Sequence, residues 1–386
     1  MGLSSLLGVS IVHIVTRLDR GGAAEVILEL VKALAADRMR VVLIVGRTDT
    51  PQTNLDWFCR EFGIELYRVP RLLRAVSPVD DFLAFLGIRR IILTINPAIV
   101  HTHTSKAGII GRFAAWSAGT KHIVHSPRGH IFYGYYGRAV TSFFVLLERL
   151  ASGITETITT LTEKGKRDYI EKGIGPKGKF AVIHSGVDVK HFAQGDGSRI
   201  RRETGFIDSL IVGWAGRLDP VKNCLLFIEA ASLIHTQLPD VRFIAAGDGE
   251  ERTAVRERTI ELGMTDFIRF LGSRDDMPDV MAAFDVFVLS SRNEGFGRVL
   301  VEAMAAGAVP VATCVGGTAD VIEDNVSGML VKPGDPRSLA NAVCLLLENS
   351  EFRSRLRENG RKRAERFTIH AMVQKFEELY AELLRS

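Results

Sequence analysis

Residues 284–314 read FDVFVLSSRNEGFGRVLVEAMAAGAVPVATC. The stretch opens with a short apolar strand, FDVFVLS (284–290). A Gly-containing turn follows, then a helix over 298–306, and a second apolar strand, VPVATC (309–314). Two near-continuous apolar strands joined through one helix form the crossover unit of a parallel sheet. The same alternation runs outward in both directions. Towards the amino end it passes through FIRFLG (267–272), VRFIAAG (241–247) and SLIVGWAG (209–216), and towards the carboxyl end it reaches GMLV (328–331). An earlier series holds SIVHIVT (10–16), RVVLIV (40–45), AIVHTHT (98–104), KHIVHS (121–126) and FAVIHSG (180–186). Two such series predict an α/β protein of two doubly wound, Rossmann-like domains. The seam falls between Gly186 and Ser209, which is polar and Gly-rich. The expected divisions are 1–187, 188–366 and a C-terminal helix, 367–386. In that helix Ile369, Met372, Val373, Phe376, Leu379, Tyr380 and Leu383 recur at spacings of three and four. The stripe needs a surface, and the first domain is one candidate.

Length and composition agree. A chain of 386 residues exceeds one typical domain, and 46% hydrophobic with 24% charged residues is ordinary globular composition. No apolar window is long enough to span a bilayer. The start lacks a signal-peptide pattern, and Leu6 breaks a myristoylation motif. Cys59, Cys224, Cys314 and Cys344 are far apart, which argues against a disulfide framework or a structural zinc site and for reduced thiols. The net charge of +4 divides unevenly: residues 1–190 carry +9 and the remainder −5. No acid occurs over 82–147, whereas Arg89, Arg90, Lys106, Arg112, Lys121, Arg128 and Arg138 do. This asymmetry points to an anionic partner.

The turn in the opening stretch carries the strongest chemical signal. Glu294 ends the strand–loop unit, and Gly295, Phe296 and Gly297 lead into the helix. Open N–H groups and the helix dipole at such a start favour a phosphate. Glu302, two turns on, suits hydroxyls of a ribose or sugar. WAGRLDPVKN (214–223) places Arg217 and Lys222 after a strand end, where two cations suit a pyrophosphate. RLDRGGAAEVILEL (17–30) sets Gly21-Gly22 between strand and helix, a weaker phosphate-type turn. Four histidines lie near strand ends: His101, His103, His125 and His130, with His125 favoured because it opens a Gly/Pro loop. Asp275-Asp276 are adjacent rather than spaced as a metal-binding DxD, and read as the cap of a helix over 276–283.

These pieces together resemble the retaining glycosyltransferase family 4, of GT-B fold. The matching segments are GRLDPVK, AAGDGE, FLG, SSRNEGFGRVLVEAMAAGAVPVA, VGGTADVI and DNVSGMLVKPGD, preceded by RGGAAEVILEL, VHTHTSKAGIIGRFAA and IHSGVDVKHF. The resemblance covers nearly the whole chain. It implies two domains facing across a cleft, and a hexose moved from a nucleotide diphosphate sugar to a hydroxyl with retention. It implies that Arg217 and Lys222 meet the donor diphosphate, Glu294 the hexose and Glu302 the ribose. Gly295, Phe296 and Gly297 would offer backbone amides, and Gly21-Gly22 would approach the diphosphate. His125 would stand beside the reacting sugar, so His125 and Glu294 are the catalytic candidates. His103, Arg128 and His130 are acceptor-side candidates. Asn223 stands where the family usually has Gly, and Arg128 where similar chains have His.

The expected partners are therefore a nucleotide-sugar donor and a lipid-linked or saccharide acceptor, as in bacterial polysaccharide or glycolipid assembly. The expected place is cytoplasmic, with peripheral contact at the inner face of an anionic membrane. No cofactor, metal or nucleic acid is expected. Alternatives are a nucleotide-sugar 2-epimerase of the same fold and a non-catalytic sugar-nucleotide-binding protein. A dinucleotide oxidoreductase would need GxGxxG after a strand, which neither Gly-rich loop supplies.

Overall fold

The computed structural model describes residues 6–129 and 137–385. The chain divides into two compact units, 1–186 with 369–386, and 187–368. The first sheet has seven parallel strands: β1 (Ser10–Val15), β2 (Arg40–Val45), β3 (Glu65–Arg68), β4 (Ile99–His103), β5 (His122–Ser126), β6 (Thr157–Thr160) and β7 (Phe180–Val182). Their order is β3-β2-β1-β4-β5-β6-β7. The second sheet has six: β8 (Ile211–Ala215), β9 (Arg242–Ala246), β10 (Ile268–Gly272), β11 (Val286–Leu289), β12 (Val309–Thr313) and β13 (Met329–Val331), in the order β10-β9-β8-β11-β12-β13. Central strands are buried because helices cover both faces; β8, β11 and β12 are buried at every residue. Both sheets are doubly wound, as expected.

Each order reverses direction once. In the first sheet the reversal lies between β1 and β4, with Val12 opposite Val100 and His13 opposite His101. In the second it lies between β8 and β11, with Val286 opposite Val212. Ligands of open α/β sheets bind beyond the carboxyl ends of the strands at such reversals, so the residues after β1, β4, β8 and β11 decide the chemistry.

The last helix, Ile369–Leu383, buries Met372, Val373, Phe376, Leu379, Tyr380 and Leu383 in the core of the first unit, with Ile27, Val31 and Leu34 of helix Gly22–Ala36. Each fully buried side chain of this size contributes roughly 1.5–3 kcal/mol, so the chain's return is a substantial part of that core. On the sheet's opposite face, helices Pro78–Ile95 and Ser105–Ser117 bury Ala84, Ile88, Ile92, Ala107, Ile110 and Ala114. Asp276 precedes helix Met277–Ala282, but its carboxylate caps nothing. Instead it accepts from Arg274 at 2.8 and 2.7 Å and pairs with Arg199, which holds it far below the usual carboxylate range. The expected cap is thus an ion-pair anchor: two guanidiniums outcompete the local N–H groups.

Candidate functional site

In the second unit the loops after β8 and β11 are tied together at their backbones, where the Arg292 N–H donates to the Val221 carbonyl at 2.7 Å. Lys222 Nζ consequently reaches Glu294 Oε1 at 2.5 Å, and Ser291 Oγ donates to the same oxygen at 2.7 Å. Glu294 is buried and Lys222 half-buried. A buried acid needs such partners, so the two side chains that the sequence placed 72 positions apart form one unit. The loop after β12 completes the turn. A Cβ at Gly316 would overlap the Glu294 carbonyl oxygen, to which the Gly317 N–H donates at 3.0 Å. The glycine pair of VGGTADVI, unassigned at the level of sequence, therefore holds the Glu294 backbone by close approach.

Gly297 (φ 84°) opens helix Arg298–Ala306 without a side-chain cap, leaving the first N–H groups of the helix without one. Phe296 is buried edge-on to Phe367, with ring centroids 5.4 Å apart. Its side chain anchors the turn and leaves its backbone as the part that can meet a ligand. Glu302 is half-buried, 3.6 Å from Arg298 one turn away. Lys222 N donates to Asp219 Oδ1 at 2.9 Å, shaping the loop that delivers it. Asn223 then adopts a left-handed φ of 52° before helix Cys224–Gln237. Glycine favours that conformation and asparagine tolerates it best among other residues, so the exchange keeps the turn. Arg217 is exposed and paired with Asp219 at 2.8 Å, apart from the Lys222–Glu294 pair. A cavity of about 140 Å³ borders the same loop, lined by Leu218, Gly247, Arg252, Arg256, Phe270 and Leu271.

The first unit's reversal is different. His13, His101 and His103 are fully buried side by side. His13 Nδ1 and His103 Nε2 share a proton at 2.9 Å, and His101 bridges Tyr380 Oη and Ser126 Oγ, both at 2.7 Å. Burial lowers all three pKa values, with Arg128 adding to the effect; His13 falls to about 3. Their ring nitrogens lie within metal-sharing distance of one another, but the nearby guanidinium of Arg128 opposes a cation there. Arg128 itself has φ 60° and stands over the Phe376 ring at 5.7 Å. His13 carries no signal in the sequence because it sits inside an apolar run that reads as core, and Tyr380 reads there only as part of an apolar helix stripe.

His125 stands apart from these three. It is fully buried on the other face of the sheet, its Nδ1 shared with Thr102 Oγ1 at 2.9 Å. A Cβ at Gly108 of helix Ser105–Ser117 would overlap its ring. The ring is thus enclosed beneath that helix, which argues against direct contact with a reacting sugar. Gly21 (φ 149°) precedes helix Gly22–Ala36, and its N–H donates to Gln52 Oε1 at 3.1 Å. Thr104, β-branched yet at φ 64°, opens helix Ser105–Ser117 and shares a hydroxyl contact with Thr16 at 3.2 Å. Such a backbone is held in place only by its surroundings, and nothing in the sequence announces it. His130 lies outside the described residues.

Comparison with known proteins completes the picture. Residues 198–363 match the model "Glycosyl transferases group 1" and residues 21–186 match "Glycosyl transferase 4-like domain". A putative glycosyltransferase, EpsD of Bacillus subtilis, is 30% identical over 344 residues, covering 86% of this chain and 87% of its own. The chain is a family 4 glycosyltransferase. The family 4 chain is also 28% identical over 348 residues to the UDP-Gal:α-D-GlcNAc-diphosphoundecaprenol α-1,3-galactosyltransferase of Escherichia coli, covering 86% and 90% of the two. Among solved structures, Anabaena HepE in complex with UDP superposes with a TM-score of 0.82 at 22% identity, covering 97% of this chain and all of that one. That likeness and the two sheets establish the GT-B fold. The relatives are transferases, so the epimerase alternative is set aside.

Proposed function

We propose that this transferase moves a hexose, with retention, from a UDP-sugar to a hydroxyl of a lipid-diphosphate-linked saccharide, in polysaccharide or glycolipid assembly. The Lys222–Glu294 pair carries the reading: a cation and an acid held 2.5 Å apart at the strand reversal, beside an open helix start. As the bond from the sugar's anomeric carbon to the diphosphate oxygen breaks, negative charge builds on the leaving UDP. Lys222 and the N–H groups around Gly297 stabilise that charge. Glu294 then accepts from the hexose hydroxyls and Glu302 from the ribose. The cavity against Leu218, Phe270 and Leu271 takes the base. The acceptor oxygen bonds to the anomeric carbon, and its proton passes to the departing phosphate oxygen. Arg217 is free to swing from Asp219 to the diphosphate because it is exposed. Arg128 replaces the family's histidine as a contact for the acceptor's phosphate. These cations make a divalent metal unnecessary.

The UDP choice and the lipid-linked acceptor rest on similarity: HepE was solved with UDP, and the E. coli relative acts on a diphosphoundecaprenol-linked sugar. A non-catalytic binder would hold the donor without turnover. The test is calorimetry with UDP-, GDP- and ADP-hexoses, followed by UDP release on addition of a polyprenyl-diphosphate saccharide. Release that persists in chelator supports the proposal. Binding without release returns the chain to the non-catalytic reading, and turnover lost in chelator but restored by magnesium removes the metal-free charge argument.

A further inference from the structure

Eleven of the seventeen large apolar side chains exposed among the described residues fall between Val76 and Leu150, all in the first unit. The second unit exposes four, on separate elements: Ile207, Ile260, Val326 and Leu345. The concentration has a helical basis. Helix Pro78–Ile95 buries Ala84, Ile88 and Ile92, as a core-facing helix should, yet its outward side carries Val79, Phe82, Leu83 and Leu86 at helical spacing. Helix Arg138–Gly153 turns Val145 inward and Phe143, Leu146 and Leu150 outward, each more than half exposed. Of the five residues Phe143–Leu147 only Val145 is buried. Between them helix Ser105–Ser117 exposes Trp116, and all three helices connect strands wound in the same sense across one sheet. Right-handed crossovers place them in a single layer.

The charge on this layer has one sign. Arg90 is exposed and Arg89 half-buried in the Pro78–Ile95 helix. The acids of that helix, Asp80 and Asp81, are engaged by Arg71 at 2.7 Å and Lys106 at 2.5 Å, and no other acid occurs before Glu148. Glu148 in turn is buried against Arg112 at 2.7 Å, so neither reaches the surface. Arg128 does not belong to this face; it stands over Phe376, on the side of the last helix. Two outward apolar stripes flanked by unopposed arginines match an interface where rings and alkyl chains enter the acyl boundary and cations meet phosphates. A protein partner of mixed surface charge would leave those arginines unmatched. No helix among the described residues is long and apolar enough to cross a membrane.

We infer that the outer side of helices Pro78–Ile95, Ser105–Ser117 and Arg138–Gly153 docks on an anionic lipid bilayer. This rests on the lipid-linked acceptor proposed above and names the surface that reaches it. The experiment is co-sedimentation of the full chain with phosphatidylglycerol-containing vesicles and with phosphatidylcholine vesicles, at low and high salt. The variants are Phe82→Glu with Leu86→Glu, Phe143→Glu with Leu146→Glu, and Arg89→Gln with Arg90→Gln. The wild type is expected to pellet with anionic vesicles at low salt, and each variant to partition about tenfold less or worse. Circular dichroism and melting temperature should match the wild type in all three, which shows that they remain folded. Wild-type protein that stays in the supernatant, or variants that pellet like wild type, would overturn the inference. So would a dimer, seen by light scattering, that the same substitutions disperse without changing vesicle binding. Vesicle binding through this face without transfer to a lipid-linked acceptor would leave the docking surface standing and sink the acceptor reading instead.

Discussion

The two strand reversals of this chain are built from opposite materials. The second sheet places a lysine and a glutamate in direct contact, part-open, with backbone N–H groups beside them. The first places three neutral histidines in full burial, two bonded to each other and the third to a serine and to the tyrosine of the returning helix. A site that must meet a diphosphate needs charge held in place before the ligand arrives. A site that closes a core needs polar groups that satisfy one another without charge. The second unit's reversal holds a charged pair, and the first unit's a neutral histidine cluster.

The sharpest way to break this contrast is at Gly316. A Cβ there overlaps the carbonyl of Glu294, and the residue has φ 51°. Gly316→Val should displace the acid and cost on the order of 10²–10³ in turnover, the scale of losing one preorganised charge-stabilising contact. The donor should still bind. Steady-state UDP release checks this, and wild-type turnover would show that the Glu294 position is not critical.

Next in size is the pair itself. Losing one charge-assisted hydrogen bond costs roughly 1.5–3 kcal/mol, so Lys222→Ala should weaken UDP-sugar affinity by about 10- to 150-fold. Glu294→Ala should act mainly on turnover, and Glu302→Ala on affinity for UDP. Because Lys222 and Glu294 touch, the double variant should lose less than the sum of the singles. Additive losses measured by calorimetry and kinetics would mean the two act separately.

Much of the fold is legible in the sequence, for identifiable reasons. The helix over 298–306 and the strands around it read directly because apolar strands buried on both sides leave a continuous signal. Strand β3 (ELYR) has no clear signal because it is an edge strand with no fully buried side chain, and β6 (TITT) because threonine masks its burial. Glu294 and Lys222 were legible as residues; their contact was not, since it depends on loops joined through the Arg292–Val221 backbone bond. The face taken by His125 was not legible, because a strand-end histidine looks the same in sequence whichever face of the sheet it takes. One residue of register moves it from the face of His101 and His103 to the face beneath helix Ser105–Ser117, and Gly108 shows which was chosen.

The histidines make the first unit the acid-sensitive one. Burial depresses the pKa values of His13, His101, His103 and His125 in the folded state, so their stability contribution is present above about 6.5 and lost as pH falls. Below that value the unfolded chain takes up protons that the fold excludes, costing about 1.4 kcal/mol per histidine per pH unit. Hydrogen exchange between pH 7 and 5 should show β1, β4 and β5 losing protection before β8, β11 and β12. Simultaneous loss in both sheets would contradict the division.

The smallest effect runs the other way in pH, within the same unit. Glu377 lies in the returning helix with its carboxyl pushed up to about 7, first by burial and then by the adjoining Asp37. A carboxyl raised in the fold above its unfolded value favours the protonated folded form. Its contribution is complete below about 4.5 and disappears as pH rises to about 7. Above that, the fold carries an ionised acid in a poor place, next to a second carboxylate. Glu377→Gln keeps the shape and removes the charge. It should therefore raise the melting temperature at pH 8 and leave it unchanged at pH 4.5, where both side chains are neutral. Opposite slopes for Glu377 and the histidines would place the first unit's best stability between the two titrations. A Glu377→Gln gain that is equal at pH 4.5 and 8 would instead mean that packing, not charge, separates the variant from the wild type.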